Sequence, residues 1–437
     1  MKNMVVIGGG PAGMMTAVKA ADSYNVVLIE KNEKLGKKLF ITGKGRCNLT
    51  NDSDQETFLK NVITNYKFLY SAIYSYDQQA VMADFERWGL DIKTERGNRV
   101  FPLSDHSSDV IKTLENVLKD KGVKVLLNTS VTAIQTEADE EEKRVTGVYA
   151  GGKFFPADVV VVATGGLSYP QTGSTGDGFM LINAAEPEID ITETFPALCP
   201  LVIREDFCKE MMGLSLRNVK ASVICREADK KGKVKDKKLY EEQGEMLFTH
   251  FGVTGPLMLS ASSYIVANMR KNKVKLNRGM IEPAEDDLPS YRITIDLKPA
   301  LSHEELDRRV VRDFEKYSNR EFINALNELL PRLLIPVIVR LSGIPQDKRV
   351  NLISREERER LVRLLKSLEM NVAGIKGYNE AIITSGGISV KELNSSTMEF
   401  KKVRGLRAAG EIIDVDALTG GFNLQIAWST AYLAASE

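Results

Sequence analysis

Glycines near the start of the chain have the spacing of a phosphate-binding turn. Gly8, Gly10 and Gly13 form a G-x-G-x-x-G pattern, and Glu30 follows 17 residues after Gly13. In such a turn the first glycine permits a tight bend, the second lets the backbone approach a pyrophosphate, and the third lets a helix pack closely on a strand. The carboxylate of Glu30 can accept both hydroxyls of an adenosine ribose and would repel a 2′-phosphate. These residues predict a dinucleotide site.

The elements around these glycines are those that such a site requires. Apolar runs predict strands at residues 4–8 and 26–30, on either side of a helix that begins at Pro11. Further apolar runs predict strands of the same type, at residues 123–127, 159–163 and 406–410. Because the last of these lies about 30 residues from the end, we expect the final segment to complete the domain that the first segment opens.

A loop rich in glycine and positive charge directly follows the acidic strand. It runs from Gly36 to Asn51 and contains Gly43, Lys38 and Arg46 among small polar residues. Such a loop can fold over a pyrophosphate and reach along a ribityl chain.

A second segment with the same potential lies near the end of the chain. Glu411 follows the last predicted strand, and Gly420 and Gly421 precede a helix-like run at 422–435. A carboxylate here can hold ribityl hydroxyls, and the helix can direct N–H groups at the flavin edge where negative charge collects on reduction. The glycine turn alone does not distinguish FAD from NAD, but both segments favour FAD because FAD is longer and must be held at several points.

We therefore predict FAD as the bound cofactor and NAD(P)H as a transient electron donor. The predicted FAD-binding residues are Gly8, Gly10, Pro11, Ala12, Gly13, Glu30, Lys31, Lys38, Thr42, Gly43, Arg46, Cys47, Asn48, Val131, Ala163, Thr164, Gly165, Gly166, Gly410, Glu411, Gly420, Gly421, Phe422 and Asn423.

The predicted fold class is α/β, with a Rossmann-like FAD-binding domain interrupted by two insertions. The FAD-binding domain takes residues 1–190 and 385–437 and carries a parallel sheet plus a small β-meander at 131–136 and 144–155. Alternating polar and apolar residues predict a β-rich insertion domain at 191–300. Residues 301–384 predict a helical insertion domain. Its helix starts are expected at Ser-x-x-Glu patterns beginning at Ser302, Ser318 and Ser354.

The composition excludes several classes of function. With 59 basic and 59 acidic side chains the net charge is zero, so we expect a small-molecule substrate and no nucleic-acid partner. An acidic run at 137–142 and a basic run at 230–238 are interpreted as solvated turns. Three His and four Cys without a C-x-x-C pair predict no metal site. Apolar runs are far shorter than the roughly 18 residues that span a bilayer, so a cytoplasmic location is expected; the oligomeric state stays open.

Three side chains are candidates for acid–base or redox chemistry beside a flavin. His250 is the best acid–base candidate by residue type. Cys47 lies in the glycine-rich loop, although it has no second cysteine nearby, and Tyr169 could donate a proton. A purely structural role competes with each of these interpretations.

The chain resembles a bacterial family of FAD-dependent oxidoreductases with a glutathione-reductase-like FAD fold. The resemblance rests on six segments between residues 5 and 432: VVIGGGPAGMMTA, GKKLFITGKGRCNLTN, VVVATGGLSYPQTGSTGDGF, LFTHFGVTGP, ITSGGISVKELNSSTME and GLRAAGEIIDVDALTGGFNLQIAWSTAY. It implies that Glu30 meets the adenine ribose, that Glu411 meets the ribityl chain, and that loop 43–48 lies near the pyrophosphate and isoalloxazine. Family members are called dehydro-bile-acid reductase or aminoacetone oxidase, so the resemblance implies no single substrate.

The leading hypothesis is an FAD-dependent oxidoreductase. NAD(P)H would reduce the flavin, which would then reduce an activated C=C bond or a similar small molecule. One alternative is a flavin oxidase that transfers electrons from a small amine or ketone to O₂. Another is a flavin-bound RNA- or protein-binding module without turnover.

Overall fold

The computed structural model describes residues 1–138, 142–228, 232–282 and 289–437. The acidic run at 137–142 and the basic run at 230–238 therefore lie partly outside the described residues. The chain divides into two compact units, of which the first contains residues 1–197 and 378–437 and the second contains residues 198–377. Within the described ranges, no helix is both long and apolar enough to cross a membrane.

The strands are numbered in chain order. They are β1 (Lys2–Ile7), β2 (Tyr24–Ile29), β3 (Thr50–Asn51), β4 (Val62–Thr64), β5 (Ile92–Glu95), β6 (Arg99–Pro102), β7 (Lys124–Leu126), β8 (Val131–Ala138), β9 (Lys143–Ala150), β10 (Lys153–Pro156), β11 (Val159–Val162), β12 (Ile191–Ala197), β13 (Leu201–Ile203), β14 (Ser215–Ala228), β15 (Val234–Thr249), β16 (Gly252–Thr254), β17 (Leu276–Asn277), β18 (Met280–Ile281), β19 (Ser290–Asp296), β20 (Leu368–Ile375), β21 (Ile383–Ile388), β22 (Leu406–Ala408) and β23 (Asp416–Ala417).

The α-helices follow the same order. They are α1 (Pro11–Ala20), α2 (Lys37–Ile41), α3 (Gln55–Lys60), α4 (Tyr70–Ser75), α5 (Gln78–Arg87), α6 (Ser107–Asp120), α7 (Asp177–Ala185), α8 (Phe207–Glu210), α9 (Pro256–Lys271), α10 (His303–Lys316), α11 (Phe322–Ala325), α12 (Ile335–Ser342), α13 (Arg355–Lys366) and α14 (Phe422–Ala435).

A five-stranded parallel sheet lies at the centre of the first unit, in the order β22-β11-β1-β2-β7. Strand β1 pairs on one side with β2 and on the other with β11, so that Val5 lies opposite both Val27 and Val160. All four residues of β11 are buried, as expected for a parallel strand covered on both faces. The predicted α/β fold class is confirmed, and β22 brings the end of the chain back to the sheet that β1 begins.

An antiparallel meander of β8, β9 and β10 accompanies the parallel sheet. Its strands lie where the sequence predicts a meander, at 131–136 and 144–155, to within a few residues. Strands β12 and β21 also pair with each other within the first unit. The first unit therefore includes residues 191–197 and 378–384, which the sequence assigns to the insertions.

The second unit contains an antiparallel sheet in the order β13-β16-β15-β14-β19-β20-β18-β17. An additional pairing of β13 with β20 closes six of these strands into a ring. Strands β19 and β20 are neighbours in this sheet, with Ile293 opposite Met370, although helices α10 to α13 separate them in the chain. Helices α10 to α13 therefore lie in the chain segment that connects the adjacent strands β19 and β20. The division of residues 191–384 into a β-rich and a helical domain stays a prediction.

Two of the three predicted helix starts in this segment have the expected geometry. Ser302 and Ser354 each accept the N–H of the glutamate three residues later, and that glutamate in turn accepts the N–H of the serine. The start predicted at Ser318 is wrong, because Ser318 lies in the turn after α10 and the short helix α11 begins after Glu321.

Candidate functional site

The glycine turn between β1 and α1 is shaped by two close backbone approaches. A Cβ atom on Gly13 would lie 1.8 Å from the carbonyl oxygen of Gly8, so no other residue fits there without a shift of the backbone. Gly10 is the N-cap of α1 and provides no side-chain cap, and a Cβ at Gly10 would meet nothing within 4 Å. The first turn of α1 is therefore uncapped, and the space beside Gly10 is open, as the approach of a pyrophosphate to a helix N-terminus requires.

Residues from distant parts of the chain surround this turn. A Cβ on Gly8 would lie 2.6 Å from the carbonyl oxygen of Ala163, the residue that follows β11. A Cβ on Gly410 would lie 2.7 Å from the Cβ of Ala12. The structure thus brings together the predicted cofactor residues near the start, at the end of β11 and near the end of the chain.

Glu30 directly follows β2 and is held against the glycine turn. Its Oε2 accepts the N–H of Gly9 at 2.6 Å, and its Oε1 accepts the backbone N–H and the Nδ2–H of Asn32 at 2.8 and 2.6 Å. A carboxylate oxygen has more than one lone pair, so these bonds orient Glu30 and leave acceptor capacity for ribose hydroxyls. The sequence prediction omits Asn32, although it lies only two residues beyond the acidic strand end.

Glu411 lies in a second polar group, which also contains Lys38. The Lys38 ammonium is 2.6 Å from Oε2 of Glu411 and 2.6 Å from Oγ of Ser168. Ser168 Oγ is 2.7 Å from the other carboxylate oxygen, which also accepts the N–H of Thr384 at 2.9 Å. Thr384 is not among the predicted site residues, although it belongs to the ITSGG segment on which the family resemblance partly rests.

Arg46 binds protein carboxylates rather than standing free beside the site. Its guanidinium forms ion pairs with Glu95 and Asp105 and lies 4.1 Å from the ring centre of Phe101. The hydrogen bonds from Arg46 hold the pKa of Glu95 below its usual value, while Lys93 and then Arg46 lower the pKa of Asp105. Arg46 thereby anchors the loop, and its predicted contact with the cofactor stays a prediction.

The helix α14 begins at a turn that the backbone and one amide side chain shape. Its N-cap Gly421 has φ +99° and no side chain, and a Cβ there would lie 2.4 Å from the carbonyl carbon of Thr50. Asn423 accepts the N–H of Ala417 at 2.9 Å and donates to its carbonyl oxygen at 2.8 Å. Phe422 packs edge-on against Phe58 with 5.5 Å between ring centres. The start of α14 shares with that of α1 the lack of a side-chain cap, but the backbone of Thr50 packs closely against its N-cap glycine, whereas Gly10 has open space beside it.

Two buried polar atoms in the predicted cofactor segments have no hydrogen-bond partner within the described chain. They are Oδ1 of Asn48, in the glycine-rich loop, and Oγ1 of Thr164, in the turn after β11. A buried polar atom without a partner costs about 1–3 kcal/mol, so such atoms point to a missing ligand or water. Together with the two helix starts that lack a side-chain cap and the two carboxylates, these atoms fit FAD.

The other polar residues predicted to bind the cofactor have partners in the protein. The Lys31 ammonium contacts Asp177 and Thr175, each at 2.5 Å, and the Thr42 hydroxyl donates to the carbonyl oxygen of Leu39 at 2.7 Å. The apolar and glycine residues among the predicted set lie at the strand ends and in the turns of the first unit. These are Val131 at the start of β8, Gly165 and Gly166 after β11, Gly43 in the loop, and Gly420 before α14.

The three catalytic candidates differ in their surroundings. Cys47 is fully buried with φ +58°, and burial raises the pKa of its thiol to about 12, which argues against a reactive thiolate. Tyr169 is half-buried with φ +53°, and burial raises the pKa of its hydroxyl. His250 lies in the second unit, exposed in the turn between β15 and β16 and edge-on to Phe251. Their catalytic roles stay predictions.

Among the residues that the structure describes, no cluster of three or more His, Cys, Asp or Glu side chains is arranged to hold a metal ion.

Known proteins resemble this chain over nearly its whole length. One is the 3-dehydro-bile acid delta(4,6)-reductase of Clostridium scindens, 28% identical over 445 residues, with 99% of this chain and 98% of that protein covered. Another is the ribosomal RNA dihydrouridine synthase of Haemophilus influenzae, 28% identical over 435 residues, with 99% and 97% covered.

A solved structure shares the fold. It is the 3-ketosteroid delta1-dehydrogenase of Sterolibacterium denitrificans in complex with 1,4-androstadiene-3,17-dione, with a TM-score of 0.50 and 13% identity over 99% of this chain and 98% of that chain. The family model described as HI0933-like protein Rossmann domain matches residues 2–437. The resemblance predicted from the six segments is thereby confirmed, and the chain belongs to the HI0933-like family of Rossmann-domain proteins.

Proposed function

We propose that this chain, an FAD-dependent oxidoreductase, reduces a carbon–carbon double bond conjugated to a carbonyl group. The observation that carries the proposal is the chemistry shared by the names of two relatives that match the chain from end to end. In a 3-dehydro-bile acid with delta(4,6) unsaturation, the double bonds are conjugated to the keto group. Dihydrouridine is uridine in which a ring double bond conjugated to a carbonyl has taken up two hydrogens. Both names describe saturation of an activated double bond.

Each group of residues proposed to hold FAD would bind a different part of the cofactor. The N–H groups at the start of α1 would bind the pyrophosphate, since no side chain caps them and the space beside Gly10 is open. Glu30 would accept ribose hydroxyls and Glu411 ribityl hydroxyls, as oriented carboxylates do. The start of α14 would place a positive dipole end beside the flavin ring. When bound, FAD supplies the group that accepts and donates hydride.

Saturation of a conjugated double bond also needs a proton donor. We keep His250, Cys47 and Tyr169 as the proposed candidates, although their surroundings do not suit them equally well. The Cys47 thiol is buried and holds its proton to about pH 12, so it is the weakest of the three. Tyr169 lies in the first unit, three residues beyond Gly166, and part of it reaches solvent.

A second candidate substrate is a uridine within RNA, because one of the two relatives is named for ribosomal RNA. The conjugated bond is chemically similar in both cases, so the same flavin chemistry would serve either substrate. The net charge of zero favours the small molecule, since proteins that bind RNA backbones rely on Lys and Arg.

The proposal is tested by a visible spectrum followed by anaerobic reduction. The purified protein should show flavin absorbance, and NADH or NADPH should bleach it. Adding a steroid ketone with a conjugated double bond should restore the absorbance, while the matched saturated ketone should not. Restoration by a uridine-containing RNA instead would select the second candidate.

Three results would overturn the proposal. If the protein stays colourless after FAD is added, the chain does not bind FAD. Flavin that neither nicotinamide bleaches, but that an amine or ketone reduces and O₂ reoxidises, identifies a flavin oxidase. Flavin that bleaches without any turnover of conjugated substrates leaves an electron carrier or a binding module.

A further inference from the structure

Lys38 is bonded entirely to protein groups within the predicted cofactor site. Its ammonium lies 2.6 Å from Glu411 Oε2 and 2.6 Å from Ser168 Oγ. The three side chains come from α2, the turn after β11 and the segment after β22, so 373 positions separate Lys38 from Glu411 in the chain. Ser168 is fully buried, and the Lys38 and Glu411 side chains are 18% and 22% exposed. This is a built polar group and not a surface ion pair.

The backbone of β21 also binds the Glu411 carboxylate. Thr384 N–H donates to Glu411 Oε1 at 2.9 Å, and the Thr384 hydroxyl accepts the N–H groups of Leu167 and Ser168 at 2.8 and 3.1 Å. Every donor in this group points toward the carboxylate or toward the residues that orient it. Glu411 therefore has a defined position before any ligand arrives.

We propose that Lys38 is a positioning residue, whose ammonium neutralises and orients the Glu411 carboxylate so that Glu411 presents the acceptor to the hydroxyl-bearing part of FAD. The inference rests on the proposed binding of FAD and deepens it, because it assigns the direct contact to Glu411. It also changes the role that the sequence predicts for Lys38, which is direct contact with the cofactor.

The physical reason lies in the cost of an unpaired charge. Removing one partner of a mostly buried ion pair leaves the other charge with poor solvation, whereas removing both partners leaves no charge to solvate. If Lys38 acts through Glu411, the loss of both side chains should be no worse than the loss of Glu411 alone. If Lys38 binds the cofactor directly, the two losses should multiply.

The test measures the dissociation constant of FAD for the deflavinated full chain by quenching of flavin fluorescence. We expect K38M to raise it by about tenfold or more, because the pair is mostly buried. K38R should stay within about threefold of the wild type, because it keeps the charge. The double variant K38M/E411Q should bind FAD as E411Q does. The control is K60M, on α3, whose ammonium pairs with the exposed carboxylate of Glu56 at 2.8 Å, and which should leave FAD binding unchanged.

Multiplying effects of K38M and E411Q, or a K38M variant that binds FAD like the wild type, would overturn the positioning role. Thermal unfolding of each apoprotein separates a folding defect from a binding defect, and a K38M loss that K38R fails to rescue would also count against the proposal. A wild-type chain that binds no FAD would instead remove the proposed function itself.

Discussion

Helices of this protein begin in two ways, and each unit contains both kinds. In the first unit α3 and α5 have aspartate caps, and in the second α9 begins at Gly255 without a side-chain cap. In the first unit, α1 and α14 start at Gly10 and Gly421, which leave their first N–H groups without a side-chain cap. In the second unit, α10 and α13 start at Ser302 and Ser354, and each of these serines forms a complete capping box. Uncapped N–H groups cost stability unless another partner binds them. We propose that the uncapped starts of α1 and α14 serve a ligand, while the capping boxes of α10 and α13 serve stability.

The largest loss of stability should come from adding a side chain at Gly13, where the backbone of Gly8 already occupies the space. In Gly13→Ala the new methyl group would lie 1.8 Å from the Gly8 carbonyl oxygen, so α1 must move away from β1. We expect a loss of at least about 3 kcal/mol in the free energy of unfolding, measured in urea, together with loss of bound FAD. Gly10→Ser is the control, because its Cβ meets nothing within 4 Å. Its free energy of unfolding should stay within about 0.5 kcal/mol of the wild type or rise slightly through the new cap. Equal stabilities for the two variants would contradict the close approach.

A second effect, on FAD affinity, should follow from placing a charged cap at the N-terminus of α1. In Gly10→Asp the carboxylate can accept N–H groups of α1, so the apoprotein should unfold within about 0.5 kcal/mol of the wild type or be slightly more stable. The same carboxylate repels phosphates, so the dissociation constant of FAD should rise by about 100-fold or more. Gly10→Asn separates the cap from the charge and should weaken FAD less. If Gly10→Asp retained FAD, the open start of α1 would have no role in binding it.

The smallest effect should come from the capped helices. Ser354→Ala removes the hydroxyl that accepts the N–H of Glu357, and we expect the free energy of unfolding to fall by about 1 kcal/mol. FAD affinity should not change, because this cap serves the fold alone. Ser367→Ala, at the exposed serine that ends the same helix, is the matched control, because the backbone N–H that Ser367 donates to Arg363 is kept. A fall in FAD affinity with Ser354→Ala would break the distinction between the two kinds of helix start.

Much of the fold can be predicted because its signals are local. The apolar runs at β1, β2 and β11, and the meander at 131–156, lie where the sequence predicts them, to within about two residues. The boundary of the insertions is less accurate, since β12 and β21 pair with each other and so belong to the first unit. The sequence places strand β20 among the helices, because a strand whose neighbour in the sheet lies some 70 residues earlier leaves no local sign of its partner.

The candidate site is predictable in composition but not in its contacts. The sequence identifies Glu30 and Glu411 as carboxylates at strand ends, and both lie in polar surroundings suited to hydroxyls. Arg46 is predicted as a flavin contact from its place in a basic loop. Its ion pairs with Glu95 and Asp105 involve residues 49 and 59 positions away, which no spacing rule reveals.

By itself the sequence determined the class of the fold, the glycine turn, two of the three predicted capping boxes and the family, because each depends on residues within a few positions or on whole segments of characteristic order. Only the tertiary structure decided which polar groups are already paired and which are open. It paired Lys38 with Glu411 across 373 positions and left Asn48 Oδ1 and Thr164 Oγ1 buried without a partner in the described chain. The physical reason is that a hydrogen bond or ion pair depends on distances of a few ångströms, and those distances are set by how strands and helices pack.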